Sequence, residues 1–361
     1  MPAHALPEAR PLRLSVRPDP ATCPNPYLRL FYGALAPSVE LGEPLVVNDA
    51  WLRARAPELD AVHFHWPESI WRPGSDPSGS RRRVAGLARF LRLAGSLGIR
   101  RIWTVHNVVP HEHRRALDYV GCFTVARMAD LLICHSEEAA RAVRRWFRPS
   151  GEIVVMPIGN YAGVYPQPRT RSEVLQEIGL DPARPLVACL GDVRPYKGLD
   201  VAIDALQNLA GTVQAVIGGQ PLGDAETARQ LARAGALPAA VVLPRRLTDQ
   251  EFADYAAAAD LLWLPYHRVT GSSVLLAALT LGVPVVASDL PFFRQILAGH
   301  RAAGRLVPPG NAAALAAATT ELLGRPPAEA RRAALALAAR YEWRDVIRPV
   351  AAVLERWRSR R

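Results

Sequence analysis

The sequence predicts an α/β protein with two Rossmann-like, doubly wound parallel-sheet domains facing one another across a cleft. Three observations carry that expectation. The chain has 361 residues, long for one ordinary domain and sufficient for two separate cores. Short apolar runs alternate with helix-spaced segments through both halves, the rhythm of βαβ units. Between the halves lies PIGNYAGVYPQP, a proline- and glycine-rich run that reads as a connection. The boundaries expected are a first domain over 12–160, a hinge over 161–170, a second domain over 171–330 and a helical tail over 331–361.

In the first half, Leu12–Val16 reads as a strand, and Asn25 and Pro26 open a helix by capping and by a preset φ. A strand is expected over Gly42–Asp49. Ala61–Trp66 (AVHFHW) is another, and in open α/β sheets ligands gather beyond the C-terminal ends of strands, which puts His65, Trp66 and Glu68 at a candidate site. The plainer alternative is a strand with a partly buried histidine and an interfacial tryptophan. Ser80–Arg101 reads as a helix with an apolar stripe and many arginines, which either solvates its charges or meets anionic lipid. Ile102–Val105 then ends in HNVVPHEH, giving His106, Asn107 and Glu112 at a second strand terminus. His111, Glu112 and His113 are too closely spaced for a His-Glu-x-x-His zinc site, so hydroxyl orientation or proton transfer is the better reading. Leu131–Cys134 is a strand followed by Ser136 as a helix N-cap.

The second half centres on LVACLGDVRPYKGLDVAIDAL. Its Lys197 is the only lysine in a chain that otherwise uses arginine. A compact ammonium differs from a planar guanidinium as a point charge for phosphate. Strand, glycine turn and helix aim backbone N–H groups at an anion, with Arg194 and Lys197 beside it. The Walker pattern is absent, and a solvated basic loop is the plainer alternative. Thr270, Gly271, Ser272 and Ser273 open a further helix and form a second phosphate cradle.

A formal charge of +11 and a pI near 10.1 admit polyanions, anionic lipid or phosphorylated substrates and choose none of them. Specific nucleic-acid binding is ranked last, since it does not explain paired βα domains. Four cysteines without metal spacing fit a reducing compartment and no zinc. With no evident signal peptide or spanning segment, the expected location is cytoplasmic, or peripheral at the inner face of the plasma membrane.

GDVRPYKGLDVAIDAL, ADLLWLPY and SSVLLAALTLGVPVVASD, preceded by WTVHNVVPHE, ADLLICHSEEA and VVMPIGNYAGVYP, together resemble the GT-B-fold, sugar-nucleotide-dependent glycosyltransferases of bacterial polysaccharide type. The resemblance runs from about Leu12 to Leu323 and implies an acceptor domain followed by a donor domain. It implies that Arg194, Lys197, Ser272 and Ser273 bind the donor diphosphate and that Arg245, Arg246 and Leu247 border the nucleobase. It further implies that His65, Trp66 and Asn107 position acceptor or sugar, and that no divalent metal or other cofactor is needed beyond a UDP- or GDP-linked sugar. Many retaining members carry two glutamates where this chain has Val269 and Ala277, and Asp192 replaces an arginine common after the motif glycine. An inverting reaction is therefore favoured over retention, with Glu68 or Glu112 as the catalytic general base; a retaining reaction would instead use His106 as the catalytic group that, with its neighbours, positions sugar and acceptor. The expected activity is transfer of a hexose or uronic acid to a glycan or lipid-linked acceptor, with an anionic membrane surface as a further partner. The alternatives are a nucleotide-sugar epimerase of the same fold and an inactive binding protein.

Overall fold

The computed structural model describes residues 10–72, 77–109, 116–209, 211–222 and 225–360. The chain divides into two compact units, one running to Pro157 and completed by Trp343–Arg361, the other spanning Ile158–Glu342.

The first unit holds β1 (Leu12–Arg17), β2 (Val39–Leu41), β3 (Ala61–Phe64), β4 (Arg100–Val105), β5 (Leu131–Cys134) and β6 (Glu152–Val155). All pair in parallel, in the order β2-β1-β3-β4-β5-β6. The second holds β7 (Leu186–Leu190), β8 (Gln214–Gly218), β9 (Ala240–Leu243), β10 (Leu261–Leu264), β11 (Val285–Ser288) and β12 (Gly304–Val307). Its order is β12-β11-β10-β7-β8-β9, again parallel throughout. Apolar strands buried on both faces are what helix-covered parallel sheets require. In β3, β5, β10 and β11 every residue is buried.

One device sets register in both sheets. Asp60, Asp130 and Asp260 each stand immediately before a strand, and each carboxylate accepts the N–H of a residue in the neighbouring strand: Arg13 at 2.7 Å, Arg101 at 2.8 Å and Leu186 at 2.7 Å. The repeated Ala-Asp-Leu-Leu of 129–132 and 259–262 is the sequence trace of this anchoring.

Each sheet changes direction once. The chain leaves β1 toward β2 on one side and resumes at β3 on the other; likewise β7 leads outward to β8 and β9, and β10 returns to its opposite flank. The crevice beyond the C-terminal ends of such a strand pair is where open α/β sheets accept ligands.

Several elements differ from the sequence reading. Gly42–Asp49 is not a strand: pairing is confined to Val39–Leu41, and Asn48 instead caps the helix Asp49–Arg55 by accepting the N–H groups of Ala50 and Trp51. The arginine-rich helix covers Pro77–Ser96, since the turn at Gly98, with φ of 75°, feeds directly into β4. The segment after Pro157 packs with the second unit. There the Asn160 amide donates to the Tyr341 carbonyl at 2.7 Å, and the Tyr161 amide donates to Thr280 Oγ1 at 3.0 Å. The tail is helical but shared: Pro327–Ala338 belongs to the second unit, whereas Trp343 meets Tyr27 edge-on at 5.5 Å and Arg356 pairs with Glu152 in the first.

Candidate functional site

In the first unit, the switch point between β1 and β3 is filled by histidines and tyrosines. Helix Tyr27–Leu35, which follows β1, brings Tyr27 and Tyr32 to it. β3 supplies His63 and, one residue past its end, His65; β4 supplies Thr104 and then His106; His135 follows β5. The Tyr32 hydroxyl lies 2.7 Å from His63 Nδ1 and 2.8 Å from His65 Nε2. His63 Nε2 is 2.9 Å from Thr104 Oγ1, and His65 Nδ1 is 3.0 Å from His106 Nε2. A continuous chain results: Thr104, His63, Tyr32, His65, His106.

Each link needs one donor and one acceptor, so neutral imidazoles with one N–H and one lone pair satisfy it. The electrostatics agree. Burial lowers the His63 pKa to about 3 and the His135 pKa to about 4, and holds His65 and His106 well below the usual histidine value, with neighbouring imidazoles adding to the effect on those two. His135 Nδ1 donates to the Met156 carbonyl at 3.0 Å, which fixes its tautomer and leaves Nε2 a buried acceptor with no hydrogen-bond partner among the described residues. The Trp66 indole stacks on His106 with centroids 4.2 Å apart and planes within 15°. His106 is thereby held from one side by His65 and from a ring face by Trp66, and it remains half-buried.

Glu68 belongs to a different group. It opens the short helix Glu68–Trp71, and its charged neighbours are Arg72 and Asp118. Asp118, fully buried, accepts from Trp71 Nε1 at 3.0 Å and from Arg72 Nη2 at 2.7 Å. Burial raises the Glu68 pKa to about 7; the carboxylate of Asp118 adds to this, and the guanidinium of Arg72 opposes it. A carboxyl tuned to that value exchanges protons near neutrality. The structure thus brings His65, Trp66 and His106 into contact and sets Glu68 against Arg72 and Asp118. Asn107 follows β4, half-buried beside His106 in the chain. Glu112, with His111 and His113, lies outside the described residues.

In the second unit, the switch point between β7 and β10 holds the loop that contains Lys197. Gly191 has φ of 94°, and a Cβ there would lie 3.1 Å from Val274 Cγ2 and 3.4 Å from Lys197 Nζ. The bare backbone of Gly191 is therefore bracketed by the ammonium and by the start of helix Ser273–Thr280. Pro195–Lys197 forms a single 3-10 turn, and Gly198, with φ of 70°, turns the chain into helix Leu199–Asn208. No other residue fits at 198: a Cβ would stand 1.9 Å from the Pro265 carbonyl oxygen. The Lys197 ammonium stands 5.7 Å from the centroid of the Tyr266 ring, whose hydroxyl hydrogen-bonds with Ser272. Ser272 Oγ in turn accepts the Leu275 N–H at 3.3 Å, capping the helix. The 3-10 turn is tied to the β10 exit by the His267 N–H donating to the Tyr196 carbonyl at 2.8 Å, and the helix after it by His267 Nε2 against Asp200 at 3.1 Å.

Of the other donor-side residues, Arg194 lies 3.9 Å from Asp192. Arg245 is engaged bidentately by Glu251, at 2.9 and 2.5 Å. Arg246 is exposed, and Leu247 covers Gly218, where a Cβ would meet its Cδ1 at 3.0 Å. Ala277 is buried in the helix core. Sequence reasoning missed Tyr27, Tyr32, His63 and His135 in the first unit and Tyr266 and Gly198 in the second. The alternation His63-Phe64-His65 in an otherwise apolar strand was the available signal for the histidines. Among the described residues no three His, Cys, Asp or Glu groups are arranged to hold a metal ion.

The family of glycosyl transferases group 1 matches residues 184–325, the segment that contains both phosphate-type loops. A GDP-mannose:glycolipid 4-beta-D-mannosyltransferase of Xanthomonas campestris pv. campestris is 30% identical over 298 residues, covering 79% of this chain and 75% of that protein. The chain belongs to the group 1 glycosyl transferases. A phosphatidyl-myo-inositol mannosyltransferase of Mycobacterium leprae is 36% identical over 169 residues, 45% of this glycosyltransferase and 43% of the relative. Among solved structures, a sucrose-phosphate synthase from Thermosynechococcus elongatus superposes with a TM-score of 0.75 at 19% identity, covering 98% of this chain and 100% of the other. Anabaena HepE in complex with UDP and glucose gives 0.70 at 18% identity, covering 96% and 100%. These two likenesses establish the fold, GT-B, for this glycosyltransferase. Its switch-point loops are thus features of an enzyme that transfers a sugar.

Proposed function

We propose that this glycosyltransferase moves a mannosyl group from a nucleoside-diphosphate sugar, GDP-mannose first among candidates, to a lipid-linked glycan, with inversion at the anomeric carbon and without a metal ion. The observation that carries the donor half is the bracketing of the Gly191 backbone by the Lys197 ammonium and the N-terminus of helix Ser273–Thr280. A diphosphate seated on Gly191 meets a cation, Ser272, Ser273 and unpaired helix N–H groups together. The relative from Xanthomonas supports the sugar and the acceptor class through its name.

As the anomeric C–O bond breaks, the leaving diphosphate gains charge, and Lys197 with Arg194 compensates it without help from a divalent ion. Arg246 and Leu247 border the nucleobase; Arg245, engaged by Glu251, shapes that loop. On the acceptor side, the attacking hydroxyl forms the new C–O bond while its proton passes to the Glu68 carboxylate. Glu112 is the alternative base. His106, neutral and fixed by His65 and Trp66, orients a hydroxyl by hydrogen bonding, with Asn107 beside it. The replacement of the usual paired glutamates by Val269 and Ala277 supports direct displacement over retention. A β-linked product, as the name of the Xanthomonas relative specifies, requires inversion whenever the donor is α-linked.

The test is incubation of purified protein, with EDTA, with GDP-mannose or UDP-glucose and a membrane extract of lipid-linked glycans, followed by NMR of the new linkage. Transfer from GDP-mannose with a β linkage is expected. An α linkage would remove the inverting assignment, dependence on added divalent ion would remove the metal-free one, and donor conversion without acceptor would replace transfer by epimerisation.

A further inference from the structure

The helices that cover one face of the first sheet differ in an unusual way at one end. Helix Ala116–Met128 buries Asp118, Gly121, Cys122, Val125 and Ala126 and turns Tyr119, Val120 and Phe123 to solvent, 41%, 51% and 47% exposed. Three large apolar side chains on adjacent turns are a contiguous patch, not scattered surface residues. Beside it packs helix Pro77–Ser96, whose Arg81 and Arg82 are exposed near its start. A helix that crosses back from one parallel strand to the next begins at the C-terminal end of the strand it leaves. These two follow β3 and β4, so the apolar patch and the arginines lie at the sheet end that carries His65 and His106. The acidic side chain on the same helix does not oppose the arginines, because Asp118 is buried and bonded to Arg72 and Trp71. Among the described residues no helix is long and apolar enough to cross a membrane.

We propose that Tyr119, Val120 and Phe123 insert into the interfacial layer of an anionic bilayer while Arg81 and Arg82 contact its headgroups, an inference that rests on the lipid-linked acceptor named above. An aromatic and aliphatic wedge beside guanidinium groups matches the chemistry of that interface: apolar area enters the acyl boundary and the cations meet lipid phosphates. The consequence is positional. With the patch at the rim of the acceptor site, a lipid-linked sugar reaches His106 without leaving the membrane.

The experiment is co-sedimentation of the full chain with phosphatidylcholine vesicles and with vesicles containing one-third phosphatidylglycerol, alongside transfer to the lipid-linked acceptor and to its water-soluble glycan fragment. Binding to the anionic vesicles, weakened by salt, is expected. V120S/F123S and, separately, R81E/R82E should each lower it by about tenfold or more. Both variants should keep transfer to the soluble fragment, which also reports that they fold. Wild-type protein that ignores anionic vesicles, or variants that bind them as well as wild type, would overturn the proposal. So would a concentration-dependent dimer that V120S/F123S abolishes, since a second copy would then be the occupant. Vesicle binding that responds to both variants, in a protein that transfers to neither acceptor, upholds the surface and counts against the lipid-linked transfer reading.

Discussion

The two switch points of this glycosyltransferase are built by opposite means. The one between β7 and β10 is made of backbone and fixed charge: Gly191, Gly198, a helix start and one ammonium. Between β1 and β3 the cleft is lined with side chains, imidazoles and phenols in an uncharged hydrogen-bonded chain that is buried up to the half-buried His106. A diphosphate is the same anion whatever sugar it carries, so a rigid cationic cradle suits it. An acceptor hydroxyl is neutral and must be oriented before its proton leaves, which suits neutral donors and acceptors in a dry site.

The contrast predicts separable losses. Lys197→Ala should cut transfer by about 10²–10³ and weaken nucleoside-diphosphate binding in a calorimetric titration; an unchanged binding isotherm would falsify the diphosphate role. Glu68→Gln should lower kcat by about 10²–10⁴ with donor binding intact. Because the proposed base would work as carboxylate, wild-type transfer should decline as pH falls through about 7, and if the Gln variant keeps that limb another group sets it. Gly198→Ala forces a Cβ against the Pro265 carbonyl in a left-handed conformation and should cost more than about 1–3 kcal/mol of stability, read by denaturant unfolding. Tyr32→Phe removes the hydroxyl between two buried imidazoles at a cost of about 1–3 kcal/mol. It should lower kcat without moving donor affinity; a loss of stability alone would mean that the chain is scaffolding.

The smallest effect concerns acid. His63 and His135 bind protons less readily folded than unfolded, so their contribution to stability is present above the ordinary value of 6.5 and is lost as pH falls toward about 3–4. Hydrogen exchange at pH 5 should therefore open the first unit's strands before the second's. Equal protection changes in both would dissolve the electrostatic contrast.

Much of the second site was legible along the chain because its parts are sequence-local: Gly191, Arg194 and Lys197 fall within one loop, and Ser272 announces a helix start. Phosphate chemistry uses backbone, and glycine and serine mark backbone. The first site was legible only as strand ends. His65 and His106 were placed there by position, but their link through Tyr32 to His63 joins residues 31 to 41 positions apart, and no local pattern encodes such a pairing. Glu68 was legible as a carboxylate near the site, whereas its raised pKa comes first from burial, with the carboxylate of Asp118, 50 positions on, adding to it, and neither is written in the local pattern. The expected strand at Gly42–Asp49 failed because Asn48 gives up its place in a strand to cap a helix, a competition that apolar content alone does not reveal.

By itself the sequence determined two parallel-sheet domains, the family, and the lysine loop, because hydrophobic period and turn glycines act over a few residues. Tertiary structure alone decided which imidazoles join into one chain, that Glu68 faces Arg72 and Asp118, and that Trp343 returns from the tail to cover Tyr27. Those outcomes depend on how neighbouring strands bring distant side chains within hydrogen-bonding range and out of water, and both proximity and desolvation are properties of the packed molecule.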